Sequence, residues 1–286
     1  MRYEAPETLD AAVELLSSSS GTTKILAGGT DLLVQMRTDL IHPELVVDIK
    51  GIDEVRQITQ KNGSYRIGAA VTGAELEEHP TLAKDWPGVV EGANLIGSTQ
   101  IQGRATMGGN LCNGSPAADS VPGLIAAGAL VTVAGKNGKR EVPVEDIMVG
   151  PRKLSIAADE FVVSFFLPAR PAHASDAYER FIPRTEMDIA VVGAAVNVTL
   201  DDAGKITDAR VSLGAVAPRP LLVKDAAAAI IGTSLDEEAL KKLDAAAQAA
   251  CQPIDDKRGT IEYRTKVAGV LARRTAQRAY DRARNK

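Results

Sequence analysis

The first fifty residues alternate between helical and strand-like hydrophobic patterns. Apolar side chains recur at roughly helical spacing over residues 6–19, and Pro6 suits an early helical position. Short apolar runs at 24–27 and 45–49 predict two strands, with a second helical pattern between them. This order of helix, strand, turn, helix and strand predicts a small α/β unit at the N-terminus.

The middle of the chain begins with a predicted hairpin. Strand-like segments at 55–59 and 65–67 flank Asn62-Gly63, a dipeptide that favours a tight turn. The elements expected after it are a helical region at 73–104, a glycine-rich loop at 106–115, a helix at 121–127 and strands at 130–134 and 161–167. Pro168 ends the last strand.

A composition change near residues 169–175 indicates a linker. Beyond it the elements occur in blocks, which is typical of an α+β domain. The predicted elements are strands near 181, at 189–200 and at 206–216, followed by helices at 222–231, 236–250 and 260–283.

Composition excludes several functional classes. A net charge of −4 and an aromatic content of 3% argue against nucleic-acid binding. Cys112 and Cys251 are the only cysteines, too few for an iron–sulfur cluster, and the three histidines form no ligand pair, so we expect no metal site. The N-terminus lacks a secretory pattern and no run resembles a membrane span, so we expect a cytoplasmic chain.

A glycine turn at residues 25–32 carries the first chemical signal. A strand leads into Gly28-Gly29 and then into a helix, so backbone N–H groups there are free to bind phosphate. Thr30 can cap the helix or reach the phosphate. The alternative interpretation is a plain strand–helix turn.

A second turn, at residues 106–119, has the same character. It contains Gly108-Gly109 among small hydrogen-bonding side chains, and two donor loops would suit a diphosphate. A purely structural turn remains the alternative. Neither turn matches the glycine patterns of a Rossmann site or a P-loop.

The last thirty residues, 257–286, hold ten basic and two acidic side chains. They form either a docking face for an acidic partner or the solvated face of a terminal helix.

Together these motifs resemble one family. The chain is similar throughout to the FAD-binding medium subunit of the molybdenum hydroxylases, the group that contains carbon monoxide dehydrogenase and xanthine dehydrogenase. The resemblance is carried by residues 3–12, 27–32, 106–110, 115–119, 181–184 and 187–192.

This resemblance implies an α+β fold. An FAD-binding domain of the vanillyl-alcohol oxidase (PCMH) type would cover residues 1–175, with subdomains at about 1–54 and 55–175. A domain of the carbon monoxide dehydrogenase flavoprotein type, with a three-stranded sheet and helices, would cover 176–286.

The resemblance also implies which residues hold the cofactor. The two glycine turns would grip the pyrophosphate and ribitol, Asp119 would lie beside the flavin ring, and Val162 or Val163 would pack on the isoalloxazine. Ile101 and Gly103 would line the adenine side. The full set is Lys24, Ile25, Leu26, Ala27, Gly28, Gly29, Thr30, Asp31, Leu32, Ile101, Gly103, Thr106, Gly108, Gly109, Asn110, Asp119, Val162 and Val163.

The function implied is electron transfer without a catalytic acid, base or nucleophile on this chain. A large molybdenum-cofactor subunit would oxidise the substrate, and a small subunit with 2Fe–2S clusters would pass electrons to FAD. NAD⁺, a quinone, oxygen or another carrier would accept them, in a dimer of heterotrimers. No histidine lies in either glycine turn, so FAD is expected to be non-covalent.

Two rival interpretations remain. A free-standing FAD-dependent reductase of the same fold would need its own proton donor and a nucleotide-sugar pocket, and its characteristic serine and glutamate arrangement is not found. A nucleotide-binding scaffold subunit without redox function is the non-enzymatic rival.

Overall fold

A computed structural model describes residues 1–286 as ten helices, fourteen strands and four short 3₁₀ turns. The helices are α1 (Leu9–Ser18), α2 (Leu32–Arg37), α3 (Gly73–Glu78), α4 (Leu82–Asp85), α5 (Pro87–Asn94), α6 (Met107–Cys112), α7 (Ser120–Ala126), α8 (Lys224–Ala228), α9 (Glu237–Ala249) and α10 (Ile261–Arg284). The strands are β1 (Arg2–Glu4), β2 (Thr23–Leu26), β3 (Leu45–Asp48), β4 (Ile58–Lys61), β5 (Ser64–Gly68), β6 (Leu130–Gly135), β7 (Gly138–Pro143), β8 (Met148–Gly150), β9 (Lys153–Leu154), β10 (Phe161–Leu167), β11 (Ala174–Phe181), β12 (Val192–Leu200), β13 (Ile206–Gly214) and β14 (Leu221–Leu222).

The N-terminal unit is a parallel sheet of order β1-β3-β2 covered by α1. Helix α1 begins at Leu9, because the Thr8 hydroxyl accepts a hydrogen bond from the Ala11 N–H and caps it. The start predicted at residue 6 was therefore early. Strand β1 escaped the sequence analysis because it is short and mostly exposed.

The second unit is an antiparallel sheet of order β4-β5-β10-β6-β7 that shares a hydrophobic core with α3 to α7, and α5 and α7 also contact the third sheet. Central β10 is almost entirely buried, which explains its unbroken apolar run. The strand predicted at 55–59 lies at 58–61, since a 3₁₀ turn occupies Asp53–Val55. Edge strand β7 was missed because its side chains are mostly polar and exposed.

The predicted glycine-rich loop at 106–115 contains helix α6. The Thr106 side chain caps this helix by accepting a hydrogen bond from the Gly109 N–H at 3.0 Å. Two adjacent glycines have low intrinsic helix propensity, so this cap and tertiary packing decide the local structure.

The third unit is an antiparallel sheet of order β11-β12-β13-β14 with α10 packed on it, and α9 packs on α10 and α8. Its first three strands match the predicted sheet, and the fourth adds only two residues. Strand β11 begins at Ala174, inside the segment expected to be a linker. A core of 28 buried residues lies between this sheet and the helices.

Buried charges connect the second and third units. The Arg170 guanidinium stacks 3.7 Å from the centre of the Trp86 ring and lies 2.7 Å from the Asp176 carboxylate. Asp176 also accepts the Val89 N–H at 3.1 Å. Each partner therefore compensates a charge that would be costly if left alone in the protein interior.

Basic side chains of the C-terminal helix α10 form ion pairs within the chain. Arg278 and Arg282 of α10 both pair with Glu91 of α5, and Glu91 also accepts the Tyr178 N–H at 3.0 Å. Arg264 is buried and bonds to Asp256 at 2.6 Å. The basic cluster is thus neither purely a docking face nor purely a solvated face, because Arg278 and Arg282 pair with another unit and Arg264 pairs within its own.

We expect Arg170→Met to lower the free energy of unfolding by about 3–5 kcal/mol, because it leaves the Asp176 charge buried without a partner. The Arg170 and Asp176 side chains are only 8% and 2% exposed, whereas Arg2 and Glu4 are 62% and 42% exposed. Arg2→Met is the matched control and should cost less than about 1 kcal/mol. Urea unfolding of both variants measures the difference, and equal small losses would contradict the buried-pair argument.

Candidate functional site

A cavity of about 360 Å³ opens between the N-terminal unit and the second sheet. Both glycine turns contribute to its wall, together with α1, the 3₁₀ turn after β3 and the segment from β9 to β10. The lining residues are Leu16, Thr23, Lys24, Ile25, Ala27, Gly28, Gly29, Thr30, Asp31, Leu32, Gln35, Ile41, Ile49, Ala69, Ile96, Thr106, Gly108, Gly109, Asn110, Cys112, Asn113, Arg152, Leu154, Ile156, Ala158, Phe161 and Val162. This volume and mixed lining are typical of small-molecule sites.

The first glycine turn connects β2 to α2 with its backbone donors free. Gly29 has a φ of +80°, a conformation that glycine adopts without strain. No backbone N–H of residues 28–32 donates to a backbone carbonyl oxygen. These groups lie in the cavity wall, so they can donate to an anionic ligand there.

A hydrogen-bond network of three side chains, Lys50, Asp48 and Tyr3, supports this turn. The Lys50 ammonium donates to the Ala27 carbonyl oxygen at 3.1 Å and to the Asp48 carboxylate at 2.7 Å. The Tyr3 hydroxyl donates to the other Asp48 oxygen at 2.6 Å. Burial opposes ionisation of Asp48, but hydrogen bonds from Lys50 and Tyr3 outweigh it and lower the pKa of Asp48.

The first glycine turn packs against the segment that leads into the second, and the second packs against the end of β5. A methyl group on Gly28 would lie 2.0 Å from the Arg104 carbonyl oxygen, and one on Gly108 would lie 2.5 Å from the Ala69 carbonyl oxygen. These glycines are therefore required by backbone packing. Bulk at Gly28 would therefore displace the neighbouring backbone at Arg104 before it could affect a ligand in the cavity.

Gly109 differs from these glycines. The only nearby atom facing an added methyl group is the Thr106 hydroxyl oxygen at 3.0 Å, and Gly109 lies in the cavity wall. Elsewhere in the cavity wall, the Gln35 side-chain amide donates to the Asn113 side chain at 3.1 Å. This hydrogen bond connects α2 with the end of α6.

Most residues predicted to bind the cofactor line this cavity. The exceptions are Leu26, Ile101, Gly103, Asp119 and Val163. Leu26 and Val163 are buried in the protein interior beside the cavity. Ile101 packs toward Gly97, and Gly103 faces open space, so neither belongs to the wall.

Asp119 lies at the junction with the C-terminal sheet. Its carboxylate accepts the Tyr178 hydroxyl at 2.8 Å and pairs with Arg180 at 2.6 Å. Burial raises the pKa of Asp119 to about 6, although Arg180 and Tyr178 favour the charged form. The next residue, Ser120, donates from its backbone N–H and its hydroxyl to the Asn110 side chain, so the junction also supports the second turn.

An apolar wall was missed by the sequence analysis. Leu154, Ile156 and Ala158 alternate along the segment before β10 and line the cavity with Phe161. This alternation was the available signal. It was not used because the segment carries no motif and has exposed or half-buried residues on both faces.

The charged and reactive groups of the wall are few. Lys24 and Arg152 are its basic side chains, and Asp31 is its acidic one. Desolvation raises the pKa of Asp31, and it raises the pKa of Cys112 to about 12 although that side chain is exposed to the cavity. Cys112 therefore remains a neutral thiol at physiological pH.

Acidic, histidine and cysteine side chains form no cluster of three or more that could hold a metal ion. No helix is both long enough and apolar enough to cross a membrane.

We predict a pH dependence of stability from Asp119. Its pKa rises from 3.8 to about 6 on folding, so the folded chain binds more protons than the unfolded chain between these pH values. The contribution of this carboxyl group to stability is present below about pH 4 and is lost as the pH rises through about 6. Relative to Asp119→Asn, the wild-type free energy of unfolding should fall by on the order of 1–3 kcal/mol between about pH 4 and 7. Urea unfolding across this range measures it, and parallel pH profiles for the two proteins would contradict it.

Comparisons with known proteins match both parts of the chain. The family profile of the FAD binding domain in molybdopterin dehydrogenase matches residues 1–170, and that of the CO dehydrogenase flavoprotein C-terminal domain matches 176–279. The carbon monoxide dehydrogenase medium chain of Afipia carboxidovorans is 36% identical over 283 residues, which are 99% of this chain and 98% of that protein. The xanthine dehydrogenase FAD-binding subunit of Escherichia coli O157:H7 is 31% identical, with 97% of this chain and 95% of that protein covered.

Solved structures agree with these matches. A chain of the Cu,Mo-CO dehydrogenase crystal structure has a TM-score of 0.94 at 35% identity, with 99% of this chain and 98% of that chain covered. A chain of quinoline 2-oxidoreductase from Pseudomonas putida has a TM-score of 0.90 at 26% identity, with the same coverage. The fold, the two glycine turns and these matches together establish that this chain belongs to the family of FAD-binding subunits of the molybdopterin dehydrogenases.

Proposed function

We propose that this chain binds FAD non-covalently in the cavity between its first two units and transfers electrons within a molybdenum-containing dehydrogenase complex. The observation that carries the proposal is the row of free backbone donors at residues 28–32, which faces the same cavity as the second glycine turn. Donors of this kind suit a diphosphate, the anionic part of FAD.

The residues of the cavity fit FAD in both chemistry and shape. Free N–H groups and Thr30 lie at the glycine turns, and Gly109 leaves space for close approach of a ligand to the backbone. Leu154, Ile156, Phe161 and Val162 supply an apolar surface suited to an aromatic ring. We propose the predicted residues that line the cavity as the binding set, with this apolar wall added.

The protein residues bind and orient, and bound FAD supplies the ability to accept and release electrons. Lys50 and Asp48 hold the first turn in place, and Thr106 holds the second by capping α6. The apolar wall excludes water from one side of the bound ring. Cys112 stays protonated in the wall, so it supplies no anionic nucleophile that would react there.

A complex with a large molybdenum-cofactor subunit and a small iron–sulfur subunit is part of this proposal. Its support is the similarity over nearly the full length to a protein named as the medium chain of carbon monoxide dehydrogenase. Assembly as a dimer of heterotrimers and delivery of electrons to NAD⁺, a quinone, oxygen or another acceptor belong to the same proposal. We also propose a domain division near residue 175, which the two profile matches at 1–170 and 176–279 support.

The first experiment is a visible spectrum of the purified chain before and after acid denaturation. We expect flavin absorption bands, with all flavin released as FAD into the soluble fraction, because no covalent link is required to hold it. A chain that is colourless and takes up no added FAD would refute the proposal. Flavin reduction that requires purified molybdenum and iron–sulfur partners together with their substrate would support the subunit role, whereas a free-standing reductase would need no partner.

We predict that Gly109→Val weakens FAD binding by at least about 10-fold, because its side chain enters the cavity where the ligand meets the backbone. Gly103→Val is the matched control, since an added methyl group there meets no atom within 4 Å and lies outside the wall. Fluorescence titration of the apoproteins with FAD measures both dissociation constants. Equal weakening by Gly103→Val would show that the adenine side extends to Gly103, as the resemblance implied.

A further inference from the structure

Arg152 has an unusual position in the cavity wall. It follows Pro151 in the two-residue turn between β8 and β9, and it has a φ of +57°. It is the only cavity-lining residue other than glycine with a positive φ. Turns with proline first and a positive φ second strongly favour glycine or asparagine at the second position, so arginine is strained there.

Contacts with the second glycine turn hold Arg152 in this strained conformation. Its N–H donates to the Gly114 carbonyl oxygen at 2.8 Å. Gly114, itself at a φ of +67°, approaches so closely that an added methyl group would lie 2.7 Å from the Arg152 Cα. The position of Arg152 is therefore fixed relative to the turn that we propose binds the cofactor.

No hydrogen bond or ion pair of the Arg152 side chain within the protein explains this strain. Its guanidinium takes part in none of the protein's ion pairs, whereas most other arginines of the chain are paired with carboxylates. It lines the cavity together with Lys24 and the free N–H groups of residues 28–32. A guanidinium offers a planar set of donors that matches phosphate oxygens.

We infer that Arg152 is a cofactor-binding residue whose guanidinium pairs with the diphosphate of FAD. This inference rests on the proposed function and adds a residue that neither glycine motif contains. The diphosphate is the only anionic part of the dinucleotide, and Arg152 and Lys24 are the two basic residues that line the cavity. Arg152 is exposed, so its guanidinium is free to pair with a ligand beside the strained turn.

The test compares four apoproteins with the wild type: Arg152→Gln, Arg152→Gly, Arg152→Lys and the control Lys153→Gln. Lys153 is the exposed neighbour in β9 and lies outside the cavity wall. Fluorescence titration with FAD at low and high sodium chloride concentration gives the dissociation constants, and thermal unfolding without FAD gives the stability.

We expect Arg152→Gln and Arg152→Gly to weaken FAD binding about 10- to 100-fold, the usual range for loss of a charged hydrogen bond. Arg152→Lys should retain part of the affinity because it keeps the charge, and Lys153→Gln should change it less than about twofold. FAD binding to both uncharged variants should depend less on salt than binding to the wild type. Arg152→Gly should unfold at the same temperature as the wild type or higher, because glycine relieves the positive φ.

The unfolding temperature of Arg152→Gly distinguishes a role in FAD binding from a role in folding. If this variant loses affinity for FAD without losing stability, the arginine side chain serves the ligand and not the fold. An Arg152→Gln protein that binds FAD within about twofold of the wild type, with unchanged salt dependence, would overturn the inference and leave the proposed function intact. Lower stability of Arg152→Gly together with its weaker binding would also overturn it, because the role would then be structural. A wild-type chain that binds no FAD at all would remove both proposals.

Discussion

The site depends on the close approach of two backbone turns that are about eighty residues apart in the chain. Gly28 lies so near the Arg104 carbonyl oxygen that no side chain fits between them. This contact brings the first turn, with its free N–H groups, to one cavity with the turn at Thr106. Packing of this kind tolerates little change, since protein interiors are close-packed and a single added carbon must displace backbone.

The turns stay in place because each has its own support. Lys50 and Asp48 hold the first turn through the Ala27 carbonyl oxygen, and this ion pair is partly shielded from water. Ser120 bonds to Asn110 of the second turn, and the preceding residue, Asp119, bonds to the C-terminal sheet through Tyr178 and Arg180. The C-terminal unit therefore contributes to the site without lining it, because its Tyr178 and Arg180 side chains compensate the buried Asp119 carboxylate.

The C-terminal unit is attached by packing of α5 and α7 on its sheet and by charges that are buried or half-buried. Arg170 with Asp176 and the arginines of α10 with Glu91 connect it to α5 and to Trp86. Such pairs give a specific geometry, because each charge is costly unless its partner is present.

Local pattern alone determined much about this protein. The alternation of helices and strands, the buried apolar run of β10 and the block of strands followed by helices all follow from the periodicity of apolar residues. The family could be identified from short motifs, because glycines at a ligand-binding turn have no substitute when backbone must approach a phosphate. The capped start of α1 at Leu9, the edge strand β7 and helix α6 were missed or misplaced, since caps and sheet edges leave weak periodic signals.

The tertiary structure alone decided which side chains face the cavity. Asp119 belongs to a motif that the resemblance places beside the flavin, yet its carboxylate bonds to strand β11 from a distant part of the chain. Leu154, Ile156 and Arg152 line the cavity although no motif marks them. The physical reason is that a motif records what a short segment of backbone can do, whereas burial, pairing and the direction of a side chain depend on segments that meet only after folding.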